Sequence, residues 1–376
     1  MSLKLHVVVH GAGPAFIRQP GCPCVRCNEP VLPETPAPQD LADLLAWARQ
    51  AHTSVSLVIE EDGLAIDHTL VDIGMGVMHN LAALPTPARN QPVSRVLITH
   101  GHFDHIMGLD GLLHALHNGL AAGDFSPQEQ PWPLPVYTTR RTWERYLGPN
   151  PGNPADAGML HRSPERMALV DVTDAALALA ALELHPALLV VPIPAEHLDG
   201  GVNFLVEFWP SGQQGEGNAI HIGLCWDLLA YPSGQAGEAW QGVALHPTTE
   251  PLLGVMRELD LLLVEMTNWR ARPGHINFEA GPLPAVNGVG TMTAPYGVRE
   301  LIAAWHPLTT RIMHYSGWND RQLPDGTWQS AETTAHNTNP AHGPVSDRHL
   351  RRALRAALGD EIDCDIAQPG MVLTFA

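Results

Sequence analysis

The sequence predicts a mixed α/β fold, and three observations predict it. Apolar residues make up 45% of the 376 positions, enough for a sizeable core. Strand-like apolar runs alternate along the chain with segments of helical spacing. Two of those runs, Val93–Ile98 and Leu259–Glu265, carry the apolar stretches Val96-Leu97-Ile98 and Leu261-Leu262-Leu263-Val264 that suit buried strands.

The elements follow in order. Residues 3–10 alternate and are β-branched, which predicts a first strand, ended by Gly11-Ala12-Gly13-Pro14. Residues 20–39 are rich in Cys and Pro and read as irregular. Asp40–Gln50 opens with a capping Asp and carries apolar residues at helical spacing. Strands are expected over Ser54–Glu60 and Gly63–Asp72, with Glu61-Asp62 at the turn, and Gly74 and Gly76 lead into a short helix. Val93–Ile98 is a strand and Gly108–Asn118 the helix after it. Residues 121–165, heavy in Pro, Gly and Asn, read as a long insertion with a helical part at Thr139–Tyr146. Leu188–Ile193, Val202–Phe208 and Ile220–Trp226 are strands, with Pro210–Asn218 a hairpin tip. Leu259–Glu265 is a strand, Gly297–Trp305 a helix and Thr310–His314 the last strand of the pattern. Residues 318–345 read as loop and Ser346–Leu358 as a terminal helix.

The most informative run is Thr99-His100-Gly101-His102-Phe103-Asp104-His105, directly after the strand Val93–Ile98. In an extended or tightly turned segment His100 and His102 point the same way and can share one ion, while Asp104 and His105 face a second. Two divalent ions about 3.5–4 Å apart can clamp an ester or phosphodiester and cleave it with water. A second specific feature is Cys22-Pro23-Cys24-Val25-Arg26-Cys27, three of the five cysteines in one hexapeptide. That spacing is poor for disulfides and good for a structural Zn²⁺, which needs one further ligand.

The net charge of −18 argues against nucleic acid as a partner, since such binding rests on Lys and Arg neutralising phosphates. No run of eighteen apolar residues exists, so no membrane span is expected. The N-terminus enters a strand pattern at once and lacks the layout of a signal peptide, which predicts a cytoplasmic protein.

The His-rich run resembles the signature of the metallo-β-lactamase superfamily. That resemblance implies a four-layer αββα sandwich of two mixed sheets, with 1–376 a single domain carrying a Cys-rich knuckle at 20–30 and insertions at about 121–190 and 318–345. Asp72, in Val-Asp-Ile-Gly-Met-Gly, matches the strand-end Asp that orients the His cluster. His197, after the strand Leu188–Ile193, matches the third ligand of the first ion, with His185 its competitor. Asp227 matches the carboxylate that bridges both ions, and His314 the last ligand. The implied sets are His100, His102 and His197 for the first ion and Asp104, His105 and His314 for the second, with Asp227 and a hydroxide between them. The donor set suits Zn²⁺ best, with Mn²⁺ or Fe²⁺ as alternatives.

Together with Gly11-Ala12-Gly13, the knuckle Cys22/Cys24/Cys27 resembles the PhnP-like phosphodiesterase subgroup and implies a third, structural Zn²⁺. One departure stands out: Gly317 occupies the place of that pattern's fourth structural ligand, a His, leaving Asp320, His336 or His342 as substitutes. Glu265-Met266-Thr267 with His275 and Ala280 resembles the E-x-T … H-x-x-x-x-A segment of phosphodiesterase members. There the His faces the scissile phosphate, and His275 is the expected group for the phosphoryl oxygens or the leaving alkoxide. Tyr315 and Trp318 are candidate pocket residues.

These readings give a binuclear hydrolase of a small phosphodiester, cyclic ones included, with a metal-bridging hydroxide as nucleophile and Asp104, Asp72 and His275 as the catalytic set. The alternatives are an acyl hydrolase (lactonase or thioesterase) on the same site, or an iron-dependent oxidoreductase. The expected partner is a small-molecule substrate, and a homodimer is the assembly the superfamily suggests.

Overall fold

The structure, a computed structural model, describes residues 2–13, 51–126, 130–148, 164–195, 200–227, 258–266, 298–314, 321–322, 328–329 and 354–376. Among these, the first half supplies β1 (Leu3–Gly11), β2 (Ser54–Glu61), β3 (Leu64–Val71), α1 (Val77–Ala83), β4 (Arg95–Leu97), α2 (Phe103–Ile106) and α3 (Leu109–Ala122). Then come β5 (Leu134–Thr138), α4 (Arg140–Thr142, continued by a wider turn over Trp143–Leu147), β6 (Met167–Asp171) and α5 (Thr173–Ala178). The second half supplies β7 (Leu182–His185), β8 (Leu188–Pro194), β9 (Val202–Phe208), β10 (Ile220–Cys225), β11 (Leu261–Glu265), α6 (Val298–Trp305) and β12 (Thr309–Met313). A two-residue pairing of β13 (Arg321–Gln322) with β14 (Trp328–Gln329) follows, then β15 (Asp363–Ile366) and β16 (Val372–Phe375).

The strands form two seven-stranded sheets, β16-β1-β2-β3-β4-β5-β6 and β7-β8-β9-β10-β11-β12-β15. Both follow one plan: three antiparallel pairings, then three parallel ones. In each sheet the fourth strand is where the pairing changes sense. That strand is β3 in one and β10 in the other.

Strand side chains alternate between faces, and both faces are covered. Leu5, Val7, Leu57 and Val71 meet Phe204, Phe208, Trp226 and Leu263 in the core between the sheets. Val8, Val58 and Leu70 face outward onto Val77, Leu109 and Leu113 of α1 and α3. Leu262, Val264 and Ile312 face outward from the second sheet onto Leu301, Ile302 and Trp305 of α6. The layers are therefore α, β, β, α, as expected. No helix among the described residues is long and apolar enough to cross a membrane.

The structure departs from the sequence reading mainly within 121–190. Residues read there as insertion include β5 and β6, which complete one edge of the first sheet, and β7, the edge of the second. These strands are short, and Pro133, Pro135 and Pro164 masked them in the sequence pattern. The edge strands β15 and β16 were likewise unread. The expected helix at Asp40–Gln50 lies outside the described residues.

Candidate metal centre

The cluster is assembled at one end of both sheets, from residues that follow strand ends. From the first sheet, β3 leads to Asp72 and β4 leads through Ile98 and Thr99 to His100. His102 is the N-cap of α2, whose first turn holds Asp104 and His105. From the second sheet, Asp227 follows β10, Glu265 ends β11 and His314 follows β12. Asp72, Asp227 and His314 all adopt left-handed backbone, with φ of 54°, 56° and 44°. Such conformations cost energy in non-glycine residues and tend to persist where a site requires them.

Two glycines permit the close packing. A Cβ on Gly101, between His100 and His102, would lie 2.1 Å from the Tyr146 ring. A Cβ on Gly74 would lie 1.9 Å from the Asp104 carbonyl oxygen, so the loop after Asp72 can press directly on α2. Hydrogen bonds from Ile73 N–H to the His105 carbonyl and from Gly108 N–H to the Ile73 carbonyl, both 2.7 Å, hold that contact.

Asp72 is wholly buried and organises its neighbours. Its Oδ1 accepts from the Thr99 N–H at 2.8 Å. Its Oδ2 accepts from Thr99 Oγ1 at 2.7 Å, His105 Nδ1 at 2.7 Å and Trp226 Nε1 at 2.8 Å. The carboxylate can only accept, so the tautomers follow. His105 carries its proton on Nδ1 and turns Nε2 into the cluster. Thr99 gives its hydroxyl proton to Asp72 and therefore accepts from His100 Nδ1, 3.1 Å away. This leaves a lone pair on His100 Nε2, which lies 2.9 Å from His102 Nδ1.

Around these, His105 Nε2 is 2.9 Å from Asp227 Oδ2 and 3.4 Å from Asp104 Oδ2. His314 Nε2 is 3.3 Å from both Asp104 Oδ2 and Asp227 Oδ2, and its Nδ1 is 3.8 Å from Glu265 Oε1. Among the described residues, three groups have ligand atoms within 4.8 Å of one another: His100/His102/Asp227, Asp104/His105/His314 and Asp227/Glu265/His314.

The electrostatics are those of buried carboxylates faced by imidazoles. Burial alone would raise the Asp104 and Asp227 carboxyls, but the charges on His105 and His314 hold both well below the ordinary range. Burial alone would lower His105 and His314. The charges of Asp227, Asp104 and Asp72 instead push His105 well above its usual value, and Asp227, Asp104 and Glu265 push His314 up to about 10.

These residues fit divalent ions. Asp104 Oδ1 is buried with no hydrogen-bond partner, an arrangement that costs energy unless something positive lies against it. Nitrogen and carboxylate donors with tautomers fixed from behind are those that Zn²⁺ and similar ions select. An ion held here would take the place of the protons that otherwise supply the positive charge.

The structure thus brings together His100, His102, Asp104, His105, Asp227 and His314, with Asp72 behind them. His197, His275 and the knuckle cysteines Cys22, Cys24 and Cys27 lie outside the described residues, as do Tyr315, Trp318 and Gly317. The competitor His185 is not in the cluster. It sits near Asp67, Arg95 and Glu61, at the end of the strands opposite Asp72, and its Nδ1 accepts from Ala187 N–H. Sequence reasoning assigned no role to Thr99 or Trp226, and named Glu265 only as the start of the E-x-T segment, not as part of the cluster. For Glu265 a signal existed, a lone acid closing the otherwise apolar, fully buried strand Leu261–Glu265.

Residues 50–165 match the metallo-beta-lactamase superfamily. No curated protein matches the chain in sequence. Among solved structures, a diphosphatase described as from the PhnP family is 15% identical with a TM-score of 0.56, over 99% of this chain and 98% of its own. The metallo-beta-lactamase fold protein YhfI from Bacillus subtilis is 14% identical with a TM-score of 0.49, over 99% and 100%. The Zn²⁺-bound PqqB from Methylobacterium extorquens is 16% identical with a TM-score of 0.48, over 98% and 99%.

Proposed function

From the premise that this is a metallo-β-lactamase superfamily chain, we propose that it is a binuclear metal-dependent hydrolase whose substrate is a small phosphodiester. The observation that carries the reading is the pair of donor groups His100/His102/Asp227 and Asp104/His105/His314, side by side at the ends of two sheets. His197 would complete the first set, and Asp227, whose Oδ2 lies within 3.3 Å of both His105 and His314, would serve both ions. When bound, such ions stabilise developing negative charge and acidify a water enough to serve as nucleophile near neutral pH.

The chain's own residues do the rest. Asp72 holds His105 through Nδ1 and His100 through Thr99, so both imidazoles present a lone pair without reorganising. Buried carboxylates and imidazoles keep the donors dry and in place. His275 is the group for the leaving alkoxide. The Glu265–His275 segment and the fold likeness to a PhnP-family diphosphatase support a phosphorus rather than a carbonyl centre. Zn²⁺ is the ion proposed, with a further structural Zn²⁺ on Cys22, Cys24 and Cys27, in a cytoplasmic protein of one domain.

The test is metal content on purified protein, paired with turnover of bis-(p-nitrophenyl) phosphate, 2′,3′-cyclic nucleotides, a lactone and a thioester. Three ions per chain, phosphodiester turnover alone and its loss in His275→Ala are expected. Two ions overturn the cysteine site. Turnover confined to the lactone or thioester makes the chain an acyl hydrolase. Stoichiometric iron without hydrolysis makes it an oxidoreductase.

A further inference from the structure

The donors of the cluster come from two separate sheets. His100, His102, Asp104 and His105 belong to the first, and Asp227, Glu265 and His314 to the second. Their mutual distances therefore depend on how the sheet ends are held together. Two links stand out among the described residues. One is main chain, Val202 N–H to the Thr99 carbonyl at 2.9 Å. The other is the Trp226 indole.

Trp226 is anchored at both ends. Its backbone N–H donates to Asn203 Oδ1 at 3.2 Å, fixing it to β9 of its own sheet. Its side chain, 1% exposed, crosses the inter-sheet core. Its Nε1 donates to Asp72 Oδ2 at 2.8 Å, the same oxygen that holds His105 and Thr99. The next residue in the chain is Asp227, whose Oδ2 lies 2.9 Å from His105 Nε2. One hydrogen bond thus joins the residue that orients the first sheet's ligands to the residue preceding the second sheet's shared carboxylate.

We propose that the Trp226 indole N–H is an inter-sheet strut that sets the separation of the two halves of the ligand cluster, making Trp226 a positioning residue for the ion pair. The inference rests on the binuclear reading above. An aliphatic or phenyl side chain fills the same core without bearing on Asp72. Without the N–H, the second sheet's Asp227 and His314 lose their fixed distance from His105 and Asp104, and the more weakly held ion suffers most.

The experiment replaces Trp226 in the full chain with 3-benzothienylalanine, which keeps the ring shape and puts sulfur in place of N–H. Trp226→Phe is the second variant. Phe204→Leu, in the same inter-sheet core but with no polar group to donate to Asp72, controls for loosened packing. Each protein is stripped, reloaded with Co²⁺ alone, and followed by titration and by electron paramagnetic resonance. Wild type and Phe204→Leu are expected to take three ions per chain, two of them at the cluster with magnetic coupling between them and the third on the knuckle cysteines. Both Trp226 variants are expected to bind the second ion at least tenfold more weakly and to lose or alter the coupling. Stepwise constants and spectra unchanged in the benzothienyl protein, or equal losses in Phe204→Leu, overturn the strut and leave the binuclear reading standing. Wild type with fewer than two ions at the cluster, read as the absence of a magnetically coupled Co²⁺ pair, overturns the binuclear reading itself and the strut with it.

Discussion

Asp72 and Asp227 occupy corresponding places in the two sheets. Each lies just past the fourth strand, where pairing turns from antiparallel to parallel, and each has left-handed backbone, at φ 54° and 56°. Their surroundings set them apart. Asp72 is saturated by four donated hydrogen bonds from Thr99, His105 and Trp226. Asp227 faces imidazole nitrogens, with His105 Nε2 at 2.9 Å and His314 Nε2 at 3.3 Å. Similar backbone positions thus present one orienting carboxylate and one that can be shared by ions.

The same substitution at the two positions should therefore give different results. Asp227→Asn is expected to leave about one active-site ion per chain where wild type holds two. Asp72→Asn keeps both sites but weakens them by about 10–100-fold, the usual cost of losing a carboxylate behind a ligating His. Metal titration of the two proteins checks this. Equal stoichiometry and equal affinity in both would contradict the assignment of roles.

Gly101 should be intolerant of a methyl group for a packing reason. Its Cβ would meet the Tyr146 ring at 2.1 Å, so Gly101→Ala should cost about 1–3 kcal/mol, as over-packed cores do. It should also displace His100 relative to His102. Tyr146→Ala, itself destabilising, should tolerate Gly101→Ala with little added loss. A double-mutant cycle by urea unfolding measures this coupling, and additive effects would refute it.

A buried chain of polar groups under the first sheet should make the fold acid-sensitive. His68 Nδ1 donates to the Gln91 carbonyl at 2.8 Å, so its Nε2 accepts from Ser56 Oγ at 2.7 Å, and Ser56 in turn accepts from His10 Nε2 at 2.7 Å. Burial, aided for His10 by the His68 charge, lowers His10 to about 3; burial likewise lowers His68 to about 4, against 6.5 for a free imidazole. Both are neutral when folded and bind protons more readily when unfolded. Their contribution is complete above pH 6.5 and declines as pH falls from there toward 4 and 3, by about 2 kcal/mol each at pH 5. Urea unfolding at pH 7.5 and pH 5 should show His68→Gln losing about that much of the wild-type pH dependence. An unchanged slope would sink the explanation.

Arg95 and Asp67 anchor the far ends of the strands that deliver His100 and Asp72. Arg95 Nη1 and Nη2 donate to the two carboxylate oxygens at 2.6 and 2.9 Å, with Nη1 also on Thr69 at 2.9 Å. The pair is mostly buried, with side chains 13% and 8% exposed. Arg95→Ala should cost about 3–5 kcal/mol because it strands a buried carboxylate. Ion stoichiometry should stay at the wild-type value, since the substitution lies at the opposite end of β3 and β4. Thermal unfolding and metal analysis of one preparation test both halves of the statement.

Much was legible in the sequence because it is local. The spacing of His100, His102, Asp104 and His105 after an apolar strand announces metal chemistry without tertiary knowledge, and alternation in residues 3–10 marks the first strand. Asp227 and His314 came from the superfamily resemblance, which expects a carboxylate and a His at the ends of two later strands. Local pattern failed for β5, β6 and β7, where short edge strands among prolines carry too few residues for a period to show. It also failed for Trp226 and Thr99, and for the place of Glu265 in the cluster, because these roles come from facing Asp72 or His314 across 154, 27 and 49 positions of chain. The sequence by itself determined which residue types could hold ions and which strands carry them. Only the packing of two sheets decided which nitrogen of His105 and His100 faces Asp72 and Thr99, and which Asp meets donors and which meets imidazoles, because hydrogen-bond direction and distance exist only once both sheets are in place.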